Sequence, residues 1–312
     1  MGLKRLAALM LALALMGLWA VAESPFAQDV VVDQMYSVDD YAVTEGLPDA
    51  WVNLLLLGQD TRQGNQYGNT DTIIILSMNM ATRQAKLTSL MRDIWVTMDG
   101  RSKSGKLNSA CLQGGPSLAM RTINECFGLN IQYYALVDLS GMAEIIDLLG
   151  GLELDITLEE LTAINQGLFD LSPLSGMEKL TEYGSYVHLN GNQAVAYARI
   201  RKIDSDFKRV ERQRYVLTEV ARRIQREDPA TIVGVVMKLL DRAETNMDLT
   251  QLMTIAKVGL EVDPNNIKQF RVPVEGTYES GNYPISDGSK VWSIRPDFAA
   301  NTRLLHEFIY GE

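Results

Sequence analysis

The chain is poor in the residues most enzymes use for acid–base and metal chemistry. Its 312 residues hold two histidines, His188 and His306, and two cysteines, Cys111 and Cys126. The histidines stand in no metal-ligand spacing, and two cysteines cannot close a four-ligand metal site. Neither a GxxxxGK[ST] phosphate loop nor a GxSxG nucleophile elbow is present. Aromatic residues make up 7%, which disfavours a non-catalytic module that grips glycan with exposed rings. Positive charge is also short: 29 basic residues against 39 acidic give a net −10. A nucleic-acid binder neutralises phosphates with surplus cations, so that class is excluded, and a transcription regulator with it. There is no internal repeat and no low-complexity tract.

What is present is a packed, globular composition, with 46% hydrophobic and 22% charged residues. At the N-terminus Lys4 and Arg5 precede an apolar run from Leu6 to Ala22, closed by the small-x-small triplet Ala20-Val21-Ala22. This reads as a secretory signal, or as an uncleaved anchor at the lower edge of spanning length, with its basic start held in the cytoplasm. Both readings put the remainder outside the cytoplasmic membrane. Residues 1–22 are thus a signal or anchor and 23–50 a linker of scattered acids. In that oxidising setting Cys111 and Cys126, flanking one short helix, are expected to form a disulfide; the alternative is two buried apolar thiols.

Short apolar or β-branched runs at 52–57, 72–80, 86–91, 131–137 and 152–156 predict strands, and only five residues separate the second from the third, a hairpin. Helices are predicted over 116–127, where Pro116 starts and Gly128 stops the turn pattern, and over 140–149, 192–199, 207–226, 249–260 and 296–310. On the fourth, Val210, Tyr215, Leu217, Val220 and Ile224 fall near one stripe. Alternating strands and helices give an α/β class: a layered α/β/α domain with a central mixed sheet, a single domain over 51–312.

Arginines and aspartates gather where these elements end. Asp60 and Arg62 follow the first strand, Asp71 opens the second, Arg92-Asp93 follows the third, and Lys106 lies in the next loop. Arg199, Arg201, Asp204, Asp206, Arg209 and Arg212 crowd a later helix boundary. Residues 190–214 hold seven basic and three acidic side chains, a local excess of four positive charges in a chain of net −10. That is the profile of an anion site, and strand ends are where α/β sheets bind ligands. Taken singly, each carboxylate reads as a cap or turn former and each helical arginine as a solvated face. Their joint order outweighs those readings.

The ordered strings resemble the LytR-CpsA-Psr family. Asn53-Leu54-Leu55-Leu56-Leu57-Gly58-Gln59-Asp60-Thr61-Arg62 resembles its NILLLGxDxR opening, Thr70-Asp71-Thr72 its SDT, and Met91-Arg92-Asp93 its PRD. Lys106-Leu107-Asn108-Ser109-Ala110 with Gly114-Gly115-Pro116 resembles KINxA…GG, and Leu148-Leu149-Gly150-Gly151-Leu152 resembles LGGV. The stretch from Leu189 to Arg201 resembles LxGxQALxYxRxR, and that from Asp204 to Gln213 resembles DxDxxRxxRQ. The likeness runs from about residue 50 to 225. Met91 departs from the family's proline, and Asn69 stands where a basic residue often precedes the SDT string.

The resemblance implies a phosphotransferase that moves a teichoic acid or capsule-type glycopolymer from a polyprenyl-diphosphate carrier to peptidoglycan at the outer face of the membrane. A diphosphate needs several donors in fixed geometry, which guanidinium forks supply. Arg92, Arg199, Arg201 and Arg209 are assigned to it, with Arg62, Lys106 and Arg212 as further candidates. Asp60 and Asp71 suit Mg²⁺ (or Mn²⁺), and one of them the proton of the acceptor hydroxyl, so that Asp60, Asp71 and Arg92 form the catalytic set. Asp93 and Asp206 are expected to orient arginines. Asp60, Asp71, Arg92, Arg199, Arg201 and Arg209 are expected to converge on one pocket. The nearest rival is a hydrolase of the same diphosphate bond, with water as acceptor.

Overall fold

The apolar runs become a six-stranded sheet in the computed structural model, which describes residues 41–60, 67–98, 104–171, 178–284 and 289–311. Strands β1 (Trp51–Asp60), β2 (Asn69–Asn79) and β3 (Gln84–Leu90) are antiparallel neighbours. Asn79 makes the tight β2–β3 turn, its side-chain oxygen accepting from the N–H groups of Ala81 and Thr82. The small pair β4 (Trp95–Thr97) and β5 (Ser104–Lys106) follows, then β6 (Tyr133–Asp138), with β9 (Ala243–Thr245) and β10 (Lys268–Val272) completing the large sheet. The spatial order is β10-β3-β2-β1-β6-β9, and β10 runs parallel to β3, so the sheet is mixed as expected.

Its central strands β1 to β3 are largely buried on both faces, which is why they read as apolar or β-branched runs. Val52 and Leu54 of β1 and Met78 of β2 pack with Met247 and with Val258 of α7 (Leu249–Glu261). The alternate residues turn to α8 (Phe298–Tyr310): Asn53 donates to the Tyr310 hydroxyl at 2.9 Å. Lys86 on that face donates to the Phe308 and Ile309 carbonyls at 2.7 and 2.8 Å, sealing the last turn of α8, where orphan carbonyls favour a cation. Burial, with Lys268 adding to it, lowers the pKa of this ammonium.

The chain divides into two compact units, Asp138–Ala243 and the segments on either side of it. A single domain over 51–312 did not foresee the inserted unit, because neither crossing has a linker. β6 runs directly into α2 (Leu139–Leu148), capped by Asp138, and α6 (Pro229–Arg242) runs directly into β9. In the insert, among the described residues, β7 (Leu152–Ile156) pairs only with β8 (Gly184–Leu189), so residues 152–156 belong to a separate two-stranded sheet. Helices α3 (Leu158–Leu171), α4 (Gly191–Ala198) and α5 (Asp206–Ile224) complete it around a core that includes Ile146, Leu154, Leu189 and Tyr197. The apolar stripe expected on α5 is only partly the buried one. Val210 and Val216 are buried, but so are Arg209, Arg212, Gln213 and Arg214.

Three further expectations change. The signal-or-anchor segment lies outside the described residues; among those described, no helix is long and apolar enough to cross a membrane. The end of the expected linker is packed: Tyr41 is buried, its carbonyl accepts from Asn124, and Thr44 donates to the Leu129 carbonyl. The disulfide does not form. α1 (Ser109–Phe127) starts seven residues before Pro116, kinked at Gly114-Gly115, and therefore contains both cysteines, at opposite ends. Both cysteines are free.

Burial first, and a nearby glutamate second (Glu244 for Cys111, Glu125 for Cys126), push both thiols up to about 12. They are therefore protonated at neutral pH. Unfolded and unreduced protein should bind two equivalents of a thiol reagent per chain, and reductant should leave the melting temperature unchanged. Loss of thiol titre without reductant would contradict the assignment.

Candidate active site

The first charged cluster stands at the end of β3. The chain turns there through Met91–Ile94, and the sheet and its neighbours fix every step. Met91 N–H donates to the Val272 carbonyl of β10 at 2.9 Å, Asn108 N–H to Arg92 at 3.0 Å, and Leu107 N–H to Ile94 at 2.8 Å. From the antiparallel hairpin of β11 (Tyr278–Pro284) and β12 (Lys290–Pro296), Ile294 N–H donates to the Asp93 carbonyl at 2.9 Å. The departure at Met91 has a local meaning: proline has no N–H, and this residue uses one.

On this fixed turn the side chains form a chain of alternating charge. Arg92 Nη1 donates to Asp71 Oδ1, Arg92 Nε lies 3.4 Å from Asp93 Oδ2, and Lys106 Nζ donates to Asp93 Oδ1. Asp93 is 7% exposed and is held between two cations, Arg92 and Lys106. Asp71 is 32% exposed and Arg92 12%, so the open end of the chain is the Asp71 carboxylate. Gly58, across from Thr72, allows β1 and β2 to close beside Asp71; a Cβ there would lie 3.0 Å from the Thr72 Cβ. Asn69 is exposed at the start of β2. Arg62 and the Asp60 side chain lie outside the described residues.

The second cluster belongs to the inserted unit. Asn190 and Gln193 cap α4 reciprocally, and Gly191 is required, since its Cβ would fall 2.0 Å from the Ala143 carbonyl oxygen. Arg199 ends the helix, its N–H donating to Ala196 O at 3.1 Å. Ser205 caps α5, placing Asp206 in its first turn, where a carboxylate is favoured. Asp206 bridges two arginines, 2.7 Å from Arg209 Nη2 and 3.4 Å from Arg201 Nε. Arg201 is half exposed, whereas Arg209 is 2% exposed.

Arg212, a further candidate for the diphosphate, is buried and engaged by protein carboxylates. It is 8% exposed, its Nε donates to Glu160 at 2.9 Å, Nη2 donates to Asp204, and its guanidinium lies over the Tyr197 ring. Burial opposes its charge, but the Asp204 and Glu160 bonds outweigh that and raise its pKa. Glu160 was missed because α3 was missed. Its signal is legible in retrospect: Thr157-x-x-Glu160 is a capping box, with Thr157 N–H donating to Glu160 at 3.0 Å and Glu160 N–H to Thr157 Oγ1 at 3.2 Å. The histidines stay outside both clusters: His306 bonds the Phe127 carbonyl and His188 lies against Gly151.

Asp71 and Arg92 thus meet in one unit, and Arg201 and Arg209 meet at Asp206 in the other. Among the described residues no three His, Cys, Asp or Glu side chains gather as a metal-ligating group. A single carboxylate such as Asp71 fits a cation held mainly by substrate phosphates and water.

The LytR_cpsA_psr family model matches residues 27–294. The chain belongs to the LytR-CpsA-Psr family. It is 31% identical over 265 residues to the regulatory protein MsrR of Staphylococcus aureus, covering 84% of this chain and 75% of that one. It is 28% identical over 233 residues to the polyisoprenyl-teichoic acid–peptidoglycan teichoic acid transferase TagU of Bacillus mycoides, covering 72% and 69%. The structure of TagT bound to LIIa-WTA is similar to it with a TM-score of 0.65 at 18% identity, over 93% of this chain and 98% of that one. The α/β architecture with its mixed sheet is that of LytR-CpsA-Psr structures.

Removing the Arg212 guanidinium leaves Glu160 and Asp204 together without their cation. Breaking a buried ion network costs ~3–5 kcal/mol. Asp204 keeps 26% exposure, so Arg212→Ala should lose about 2–3 kcal/mol, read by denaturant unfolding. A change under about 0.5 kcal/mol would place Arg212 among ordinary surface pairs.

Proposed function

We propose that this protein is an extracytoplasmic phosphotransferase that moves a glycopolymer of the teichoic acid or capsule type from a polyprenyl diphosphate to peptidoglycan. The observation that carries the reading is the fixed guanidinium of Arg92, held between two aspartates on a backbone bonded from several sides. The likeness to the teichoic acid transferase TagU supports it, as does the likeness to TagT, whose structure holds LIIa-WTA. The basic-then-apolar start of the chain fits placement at the outer face of the membrane, anchored or secreted.

In this reading Arg92, Arg199 and Arg201 bind the donor's diphosphate, with Arg62 and Lys106 as further candidates. Arg209, nearly closed to solvent, is a positioning residue that acts through Asp206 on Arg201. An arriving phosphate competes with Asp71 for Arg92, exchanging one anion for another without leaving the guanidinium bare. The acceptor hydroxyl oxygen forms a bond to the phosphorus that carries the glycan. Its proton passes to Asp60 or Asp71. The bridging P–O bond breaks, and polyprenyl phosphate leaves with the electron pair. Arginine forks stabilise the charge that builds on the phosphoryl oxygens. Asp60 and Asp71 would hold Mg²⁺ or Mn²⁺, which would supply charge neutralisation at the same oxygens.

Incubation with a polyprenyl-diphosphate glycan, with and without peptidoglycan, separates transfer from hydrolysis. Glycan should become wall-linked only when peptidoglycan is present; release of free glycan phosphate at equal rate without it would favour the hydrolase. Arg92→Lys keeps the charge but loses the fork, so transfer should slow by about tenfold or more, ~1.4 kcal/mol. Because Lys retains a partner for Asp71 and Asp93, stability should fall by no more than about 1 kcal/mol. Full activity in Arg92→Lys would remove Arg92 from the mechanism.

A further inference from the structure

The inserted unit carries a groove on α3 that the diphosphate chemistry does not use. Leu161, Thr162, Gln166 and Phe169 line it from the helix, and Lys179 and Lys202 stand at its rim, enclosing about 570 Å³. Asn165 builds the wall: its amide donates to the Leu180 carbonyl and its oxygen accepts from Leu180 N–H, both at 2.9 Å. That pair of bonds fixes the segment carrying Lys179 alongside the helix. Phe169 is 68% exposed, an uncommon condition for a phenyl ring on a soluble surface.

The two rim lysines differ from the cations around them. Arg201 and Arg209 pair with Asp206, Lys208 with Glu211, and Arg212 with Glu160 and Asp204. Among the described residues, Lys179 and Lys202 have no carboxylate partner. Two of its lining residues adjoin the arginine cluster in sequence. Lys202 follows Arg201 in the chain, and Leu161 follows Glu160, the residue that anchors Arg212. From Leu161 to Phe169 the helix advances about 12 Å, room for more than one unit of a polymer.

We propose that this groove binds the glycopolymer chain itself, as a poly(phosphodiester) leading away from the diphosphate. This rests on the transferase reading for the identity of the polymer. Lysine ammonium groups act as point charges suited to phosphodiester oxygens, whereas a planar carboxylate is better matched by the arginine forks that the groove lacks. The Phe169 ring offers an apolar face to the carbon skeleton between phosphates, and Gln166 and Thr162 offer polar groups to its hydroxyls. A donor bearing a long polymer would then be held at two places, the diphosphate and the chain.

The test is a titration of the full protein with lipid-free poly(glycerol phosphate), in saturating inorganic pyrophosphate so that the arginines are occupied. Polygalacturonate, neutral dextran and phosphatidylglycerol vesicles serve as the other probes. Wild type should bind poly(glycerol phosphate), and Lys179→Gln with Lys202→Gln should weaken it at least about tenfold. Phe169→Ala should weaken it by a smaller factor, and Lys→Arg at both positions should restore most of the affinity to a folded protein. Equal affinity in the double Gln variant, or equal binding of dextran, would overturn the proposal. So would lysine-dependent binding only of polygalacturonate or only of vesicles. If the polymer binds with this lysine dependence but no glycan reaches any acceptor, the groove stands and the transferase reading falls. If transfer occurs without lysine-dependent polymer binding, the groove alone falls.

Discussion

The charged edge of the large sheet depends on the hydrogen bonds around Met91–Ile94. A turn after an edge-ward strand would ordinarily have several backbone positions to choose from, and its arginine would sweep through all of them. Here β10, the segment after β5, and β12 each bond a different peptide of the turn. Little conformational freedom is left in the Arg92 backbone, and Asp71 and Asp93 remove more from its side chain. Ordering of that kind, completed in folding, is not charged again when substrate binds. The bond from Met91 N–H to β10 shows that the chain can hold this turn without the proline usual in the family.

Electrostatic balance is the second constraint. A cluster of bare arginines would repel itself and destabilise the fold. Instead Asp71, Arg92, Asp93 and Lys106 alternate in sign, and Asp206 sits between Arg201 and Arg209. The surplus of basic residues between 190 and 214 is thus distributed unevenly in function. Arg212 is fully engaged by protein carboxylates and serves the insert's packing, while Arg201 remains half exposed. A residue count over the segment cannot make that distinction; burial and partner geometry can.

Strands β1, β2 and β3 were legible because they are largely buried on both faces and so read as apolar or β-branched runs, from Val52–Leu57 to Lys86–Met91. The pairing of Asp93 and Asp206 with arginines was legible from their position in the sequence. Three features were not, each for a physical reason. The insert was hidden because α6 enters β9, and β6 enters α2, with no loop between to mark a boundary. α3 was hidden by its modest apolar face, although the Thr157-x-x-Glu160 box announced its start. The free state of the cysteines was not legible because a helical turn from Ser109, ahead of the kink at Gly114-Gly115, carries Cys111, while Cys126 stands near the far end of the stretch that follows Pro116.

The central claim is that Arg92 is preorganised for a phosphate that takes the place of Asp71. The direct measurement is the NMR signal of the Arg92 Nε–H group during titration with geranyl diphosphate, assigned by comparison with Arg92→Lys. The account requires this signal to shift as the ligand saturates, and Asp71→Asn, which removes the competing anion, to leave that shift in place. Saturable binding of geranyl diphosphate with the Arg92 signal unmoved would contradict it.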